Sequence, residues 1–181
     1  FCARTIVAFG SVFVLLGTGT AALLFFDPRC STKDNLFDLC DRGKGANQAV
    51  AASRQGAAVT FVGRVGSDDT GATLKASLEA SGVDTSHLAV DAGAPSGIAL
   101  IGVNADGDNA IVVSPGANAH VSSSDLDGAS AVLADAAVVL LQLEIPAETV
   151  TNAALATGGT VVLNPAPAPS TPGAPDSLAT P

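Results

Sequence analysis

The middle of the chain alternates between helix-like and strand-like segments, and this alternation constrains the fold more than any other feature. Ala46–Gln55 is alanine-rich, as helices often are, and a glycine follows it at the position where helices commonly end. Val59–Val65 then has the apolar, β-branched pattern of a strand. Asp68 or Asp69 can cap a second helix, which Gly82 would close.

A hairpin is predicted in the centre of this alternating region. Ile98–Val103 and Ala110–Val113 are strand-like, and they flank the turn-rich segment Asn104–Asn109. An isolated hairpin inserted in an α/β core often forms a flap over a ligand or a contact between subunits.

The alternation then resumes. Ser122–Ser124 can cap a helix that runs through Leu133, and Val138–Leu143 has the composition of a strand buried on both faces. Pro146 is expected to open another helix as its first residue, and Val161–Leu163 is a further strand. Strands that alternate with helices form a mostly parallel sheet with both faces covered, so the predicted fold class is α/β.

Polar residues follow two of these strands. Ligands of open α/β sheets bind beyond the carboxyl ends of the strands. Glu144 follows Val138–Leu143, and Asn164 follows Val161–Leu163. Both are therefore candidates for ligand contact.

The charge distribution argues against some functions. The formal net charge is −9, and all eight Lys and Arg residues lie at or before Lys75. Nucleic-acid binding needs a basic surface, so it is not expected. The three cysteines (Cys2, Cys30, Cys40) have no disulfide spacing and His87 and His120 are isolated, which favours a reduced cytoplasmic protein without a metal site.

The two ends of the chain differ from its middle. Ile6–Phe26 is a run of 21 uncharged residues, long enough for a transmembrane helix, although Thr5–Gly10 also fits a buried strand. Prolines crowd the other end, and disorder is expected from about Pro169 onward.

The sharpest local motif is the glycine-rich segment Gly43–Ala49. It leads into a predicted helix, whose N-terminus offers free N–H groups and a partial positive charge. It is not a Walker A loop, because Gly45 follows Lys44 where that loop needs Ser or Thr. Asn47 offers both a donor and an acceptor, which suits a vicinal diol.

This motif is one of several that resemble, in order, the N-terminal signature of the ribokinase branch of the PfkB-type carbohydrate kinases. The resemblance extends roughly from Gly43 to Ala168. The matching segments are Gly43–Ala49, Val62–Asp69 with Gly71, Pro95–Ile101, Asn104–Asn109, Pro115–Ala119, Leu141–Pro146 and Leu163–Ala168.

The resemblance implies a Rossmann-like ribokinase fold: a mostly parallel sheet with helices on both faces and a small β-sheet lid, at about residues 96–114, truncated at the C-terminus. It implies transfer of the ATP γ-phosphoryl group to the 5-hydroxyl of D-ribose in ribose catabolism, with Mg²⁺, an activating monovalent cation such as K⁺, and a homodimer formed through the lid. By resemblance, Glu144 accepts hydrogen bonds from a sugar hydroxyl. The residues that line the ribose site are Gly43, Lys44, Gly45, Ala46 and Asn47.

The sequence departs from the family pattern in residues 1–42. After the expected first strand, about residues 5–11, the family has an Asn and an Asp that hold the sugar. Here these positions carry Phe13 and Leu15, and Arg42 replaces a glycine before Gly43. The spacing is nevertheless close to that of the family, so we hypothesise a reading-frame disturbance over about residues 13–42. Translation of the gene in all frames would test it.

The second departure concerns the chemistry. The Gly-Ala-Gly-Asp-type segment that holds the catalytic base and anion hole in the family does not occur in these 181 residues. We therefore predict an α/β domain over residues 43–168, a disordered tail over 169–181 and no kinase activity from this polypeptide alone. The alternatives are a non-catalytic sugar-binding or regulatory remnant, and a membrane-anchored fragment.

Overall fold

The computed structural model describes residues 5–8, 37–40, 43–103 and 109–166. The strands are β1 Thr5–Ala8, β2 Phe37–Cys40, β3 Ala58–Gly66, β4 Asp84–Asp91, β5 Ile98–Val103, β6 Asn109–Ser114, β7 Val138–Gln142 and β8 Thr160–Asn164. The helices are α1 Lys44–Arg54, α2 Asp69–Ala80, α3 Ser123–Gly128, α4 Ser130–Asp135 and α5 Ala147–Ala156, with a 3-10 helix at Gly116–His120.

Five of the described strands form the main sheet, in the order β4-β3-β1-β7-β8. All four neighbouring pairs are parallel. The short strand β1 lies in the centre, where it pairs with β3 on one side and with β7 on the other. The predicted α/β class with a parallel sheet is therefore confirmed.

Helices cover both faces of this sheet, and the alternation of side chains along each strand explains why. Phe61 and Leu140 belong to one buried cluster, whose helical residues come from α1 and α2. Their chain neighbours Val62 and Leu141 belong to the other, with residues of α3, α4 and α5. Successive side chains of a strand point to opposite faces, so each buried strand serves two cores.

A second, smaller sheet forms the lid. Its order is β2-β5-β6, and both strand pairs are antiparallel. The strands β5 and β6 are the two that the sequence predicted on either side of Asn104–Asn109, and residues 104–108 lie outside the described part. We did not predict β2, because it lies in the divergent segment, nor β4, whose first four residues are all polar and mask the strand pattern.

Two helix predictions need correction. The helix expected from Ser122 through Leu133 is broken at Ala129, which has φ −105° and ψ 8° and separates α3 from α4. Gly128 precedes the break, and glycine weakens a helix. Pro146 is not the first helical residue: its ψ of 132° is extended, so α5 begins at Ala147.

The predictions for the chain ends fall mostly outside the described residues. The first three residues of Ile6–Phe26 lie in β1, and the remainder is not described, nor are Phe13, Leu15, Arg42 and the proline-rich tail. Among the helices that the structure describes, none has the length and apolar character needed to cross a membrane.

Candidate functional site

The glycine-rich motif forms the start of α1. Gly43 is the N-cap residue, with φ −64° and ψ 160°, and its carbonyl accepts a hydrogen bond from the N–H of Asn47 at 3.3 Å. The first N–H groups of the helix have no partner within it. Among the described residues, a Cβ added at Gly43 would meet no atom within 4 Å, and Gly43 is exposed. Packing against the described residues therefore does not require glycine here, and those residues leave the helix N-terminus open.

Lys44 and Glu144 meet at this helix start. The Lys44 Nζ lies 2.8 Å from Glu144 Oε1, and the two side chains are 40% and 23% exposed. Lys44 is the first residue of α1, and Glu144 follows the carboxyl end of β7. The structure thus brings together two residues that the sequence predicted separately, at the sheet edge where parallel α/β proteins bind ligands.

The other predicted residues near this pair differ in their exposure to solvent. Asn47 is exposed on α1, whereas Gly45 and Ala46 are buried, with Ala46 in the core under the helix. Gly45 and Ala46 can therefore contribute backbone groups to a ligand, but not side chains. Asn164 pairs in register with Gln142 on the neighbouring strand, close to the Glu144 loop.

A pair of buried glutamines lies behind this site and had no role in the sequence analysis. Gln142 Nε2 donates to Gln48 Oε1 at 2.6 Å, and both side chains are buried. Gln48 is four residues after Lys44 on the same helix, and Gln142 is two residues before Glu144. A polar residue in an otherwise apolar strand, two positions before Glu144, is a signal that could have revealed the pair.

The base of the lid is fixed by Asp68. Its Oδ1 accepts from the N–H of Gly71 at 2.8 Å and from the Ser96 hydroxyl at 2.6 Å, and its Oδ2 accepts from the N–H of Ser96 at 2.7 Å. These bonds, the Ser96 hydroxyl first, lower the pKa of Asp68 below its usual value. Ser96 lies two residues before β5, so the helix cap of α2 also anchors the lid.

The glycines at this lid base permit close backbone contact. A Cβ at Gly66 would overlap the backbone of Ser96, and one at Gly116, which has φ +50°, would overlap the carbonyl of Pro95. Gly116 follows β6 and Pro95 precedes β5. The two ends of the lid therefore lie against each other, and the end at Pro95 and Ser96 also lies against the last residue of β3.

A second ionic cluster surrounds Arg64, near the carboxyl end of β3. Its Nε lies 3.0 Å from Asp125 Oδ2, and its Nη1 lies 3.3 Å from Asp91 Oδ2. His120 Nδ1 lies 2.9 Å from the same Asp91 oxygen. The pKa of Arg64 is raised, chiefly by its hydrogen bond to Asp125, and the pKa of Asp91 is lowered, chiefly by its hydrogen bond to His120.

The charged groups at the α1–β7 edge suit a neutral polyol. The Lys44 ammonium donates hydrogen bonds, the Glu144 carboxylate accepts them, and the first N–H groups of α1 add donors beside them. Within the described residues, no group of three or more His, Cys, Asp or Glu side chains could hold a metal ion. We therefore assign no step at this site to Mg²⁺ or K⁺.

The parallel sheet covered by helices, the smaller antiparallel sheet and the Lys44–Glu144 pair at the carboxyl edge are features of an α/β protein with a candidate ligand site at its sheet edge. The profile of the pfkB family carbohydrate kinases matches residues 43–179, starting at the glycine-rich motif. The chain therefore belongs to this family of carbohydrate kinases.

Individual sugar kinases are similar to this chain over most of its length. The chain is 43% identical over 129 residues to the ribokinase of Haemophilus influenzae, a match that covers 70% of this chain and 42% of the relative. It is 40% identical over 129 residues to the deoxyribokinase of Salmonella typhimurium, with 70% and 42% covered. The chain thus spans less than half the length of these relatives.

Solved structures show the same fold. The ribokinase of Thermotoga maritima superposes with a TM-score of 0.67 and 29% identity, over 94% of this chain and 55% of that one. The ribokinase of Arabidopsis thaliana, solved in complex with ribose and ATP, gives a TM-score of 0.63 and 28% identity, over 91% and 54%.

Proposed function

We propose that this chain is the sugar-binding part of an ATP-dependent D-ribose kinase. The observation that carries the proposal is the contact between Lys44 and Glu144 at 2.8 Å, at the open N-terminus of α1. Gly43, Lys44, Gly45, Ala46 and Asn47 would surround the sugar from one side. Glu144 would accept hydrogen bonds from its hydroxyls on the other.

The phosphoryl acceptor in this proposal is the 5-hydroxyl of D-ribose. The site's contribution is to position the sugar, which supplies a large part of phosphoryl-transfer catalysis. ATP would arrive with Mg²⁺, and K⁺ would activate. The 181 residues contain no Gly-Ala-Gly-Asp segment, so we expect this polypeptide to bind sugar without transferring phosphate. The scattered cysteines favour a cytoplasmic setting.

Sugar affinity should be low. Phe13 and Leu15 stand where the family has a sugar-binding Asn and Asp. Each missing hydrogen-bond partner costs about 1–3 kcal/mol, which is roughly ten- to a hundredfold in affinity. Weak binding, rather than none, is expected because Lys44 and Glu144 remain in place.

Isothermal titration calorimetry of the 181-residue chain with D-ribose tests the proposal. Heat of binding with D-ribose that is lost in Glu144→Gln supports it, and equal heats with both proteins contradict it. Lys75→Met is the control for the loss of a Lys–Glu pair elsewhere, because Lys75 pairs with Glu79 on the surface of α2. It should bind D-ribose as the parent chain does. A parallel assay with ATP, Mg²⁺ and K⁺ should detect no ribose-dependent ADP. Its appearance would disprove the inactivity of this polypeptide.

A second candidate substrate is 2-deoxyribose, since the Salmonella typhimurium relative is a deoxyribokinase. The two sugars differ by a single hydroxyl. A site that hydrogen-bonds this hydroxyl discriminates strongly against the sugar that lacks it. Titration of both sugars under identical conditions therefore decides between them.

The proposal includes a homodimer in which the lids of the two subunits contact each other. The lid strand β6 exposes two adjacent apolar side chains, Val112 at 68% and Val113 at 57%. Sedimentation analysis of the parent chain and of Val112→Ser tests this. A mass that falls from dimer to monomer supports the lid contact, and an unchanged monomer in both rejects it.

A further inference from the structure

Gln142 occupies an unusual place in the core. Its side chain is fully buried at the last position of β7, in a strand whose other buried residues are Val139, Leu140 and Leu141. Its Nε2 donates to Gln48 Oε1 at 2.6 Å. Its Oε1 is buried and accepts no hydrogen bond from any residue that the structure describes.

A contribution to stability does not explain why the buried side chain of Gln142 is an amide. A buried acceptor without a partner destabilises the fold, and replacing both members of a buried polar pair by apolar groups of similar shape is often neutral or stabilising. Two methionines would fill the same space. What methionine cannot supply is a directional bond of fixed length between the two elements.

That bond joins the two elements that carry the candidate site. Gln48 lies one helical turn after Lys44 on α1, and Gln142 lies two residues before Glu144. The two glutamines are 94 residues apart in sequence, so the bond connects parts of the chain with no local link. In contrast, Lys44 and Glu144 are partly exposed, and an ion pair of this kind contributes little to holding two elements together.

We propose that Gln142, through Gln48, is a positioning residue that sets the spacing of Lys44 and Glu144 for sugar binding. This inference rests on the proposed function, because the affected ligand is the sugar of that site. Gln142 itself does not contact the sugar. Removing the amide pair should leave the fold intact and misplace the two charged groups.

The decisive variant is the double substitution Gln48→Met with Gln142→Met in the 181-residue chain. We expect urea unfolding to show unchanged or higher stability, while the affinity for D-ribose falls by roughly tenfold. The matched control is Thr149→Val, which removes another buried hydrogen bond, from Thr149 Oγ1 to the carbonyl of Val121. This control should lower stability and leave sugar affinity unchanged. Parent-like affinity in the double variant would overturn the proposal.

A sugar-independent measurement separates this inference from the proposed function. The ¹³C shift of the Glu144 carboxylate should respond to Lys44→Met in the parent chain, and this response should disappear in the Gln48→Met, Gln142→Met background. If the parent binds no ribose but the response is lost, the positioning role stands and the proposed sugar fails. If the response persists in the methionine background, the positioning role is wrong. Should the double variant not fold, Gln48→Leu with Gln142→Met is measured in the same way.

Discussion

Lys44 and Arg64 are both basic side chains near the carboxyl edge of the main sheet, and both have acidic partners, but their surroundings differ. Lys44 has its ion pair with Glu144 at the open start of α1. Arg64 is held by Asp125 of α3 and Asp91 of β4, and its own strand is β3. Arg64 therefore ties together three elements, whereas Lys44 joins two and remains accessible.

The comparison indicates how to separate a structural cation from a functional one. Arg64 is 24% exposed and its two acidic partners are nearly buried, so its donors serve the fold. Lys44 is 40% exposed, and an ammonium has three donors, so it can bind a ligand without leaving Glu144.

The largest expected effect is on stability, from Arg64→Met. The substitution removes the basic partner of Asp125 and leaves Asp91 with His120 alone. We expect a loss of about 2 kcal/mol in the free energy of unfolding, measured in urea. Ribose affinity should not change. A loss of affinity without a loss of stability would assign Arg64 to the site and remove the distinction.

Lys44→Met should change sugar affinity much more than stability. We expect ribose affinity to fall by about tenfold, because one charged donor to the sugar is removed. The free energy of unfolding should change by less than about 1 kcal/mol, since the pair is partly exposed. Calorimetry and urea unfolding of the same preparation measure both. If stability falls as much as in Arg64→Met, the pair is structural.

Acid should weaken the lid base and the Arg64 cluster. The pKa values of Asp68 and Asp91 are lowered in the folded state, so their contribution is present above the unfolded pKa of about 4 and is lost as the pH falls through the folded value. Urea unfolding at a series of pH values should show stability decreasing below about pH 4. The decrease should be shallower in Asp91→Asn, and an equal slope would contradict the role of this carboxylate.

The smallest expected effect is the coupling between Lys44 and Glu144 in stability. A double-mutant cycle with Lys44→Met and Glu144→Gln should give less than about 1 kcal/mol, as exposed pairs do. A larger coupling energy would mean that the pair holds α1 to β7 itself, and the glutamine pair would then be redundant.

Local signals in the sequence predicted much of the fold. Asp68 was one of two expected caps and does cap α2, and Gly56 and Gly82, which were expected to close α1 and α2, have φ of +88° and +78°. Such features depend on a few neighbouring residues, so they can be read without the structure. The break at Ala129 was missed because the apolar pattern continues across it, and β4 was missed because five of its eight residues are polar.

The motif and its family likeness also came from the sequence, since a glycine-rich helix start and a strand ending in Glu144 are short and contiguous. Only the tertiary structure decided that Lys44 meets Glu144, that Gln48 bonds Gln142, and that Asp68 anchors Ser96. Strand periodicity records which face a residue occupies, but not which strand lies beside it. The order β4-β3-β1-β7-β8 and the packing of α1 against it determine those contacts.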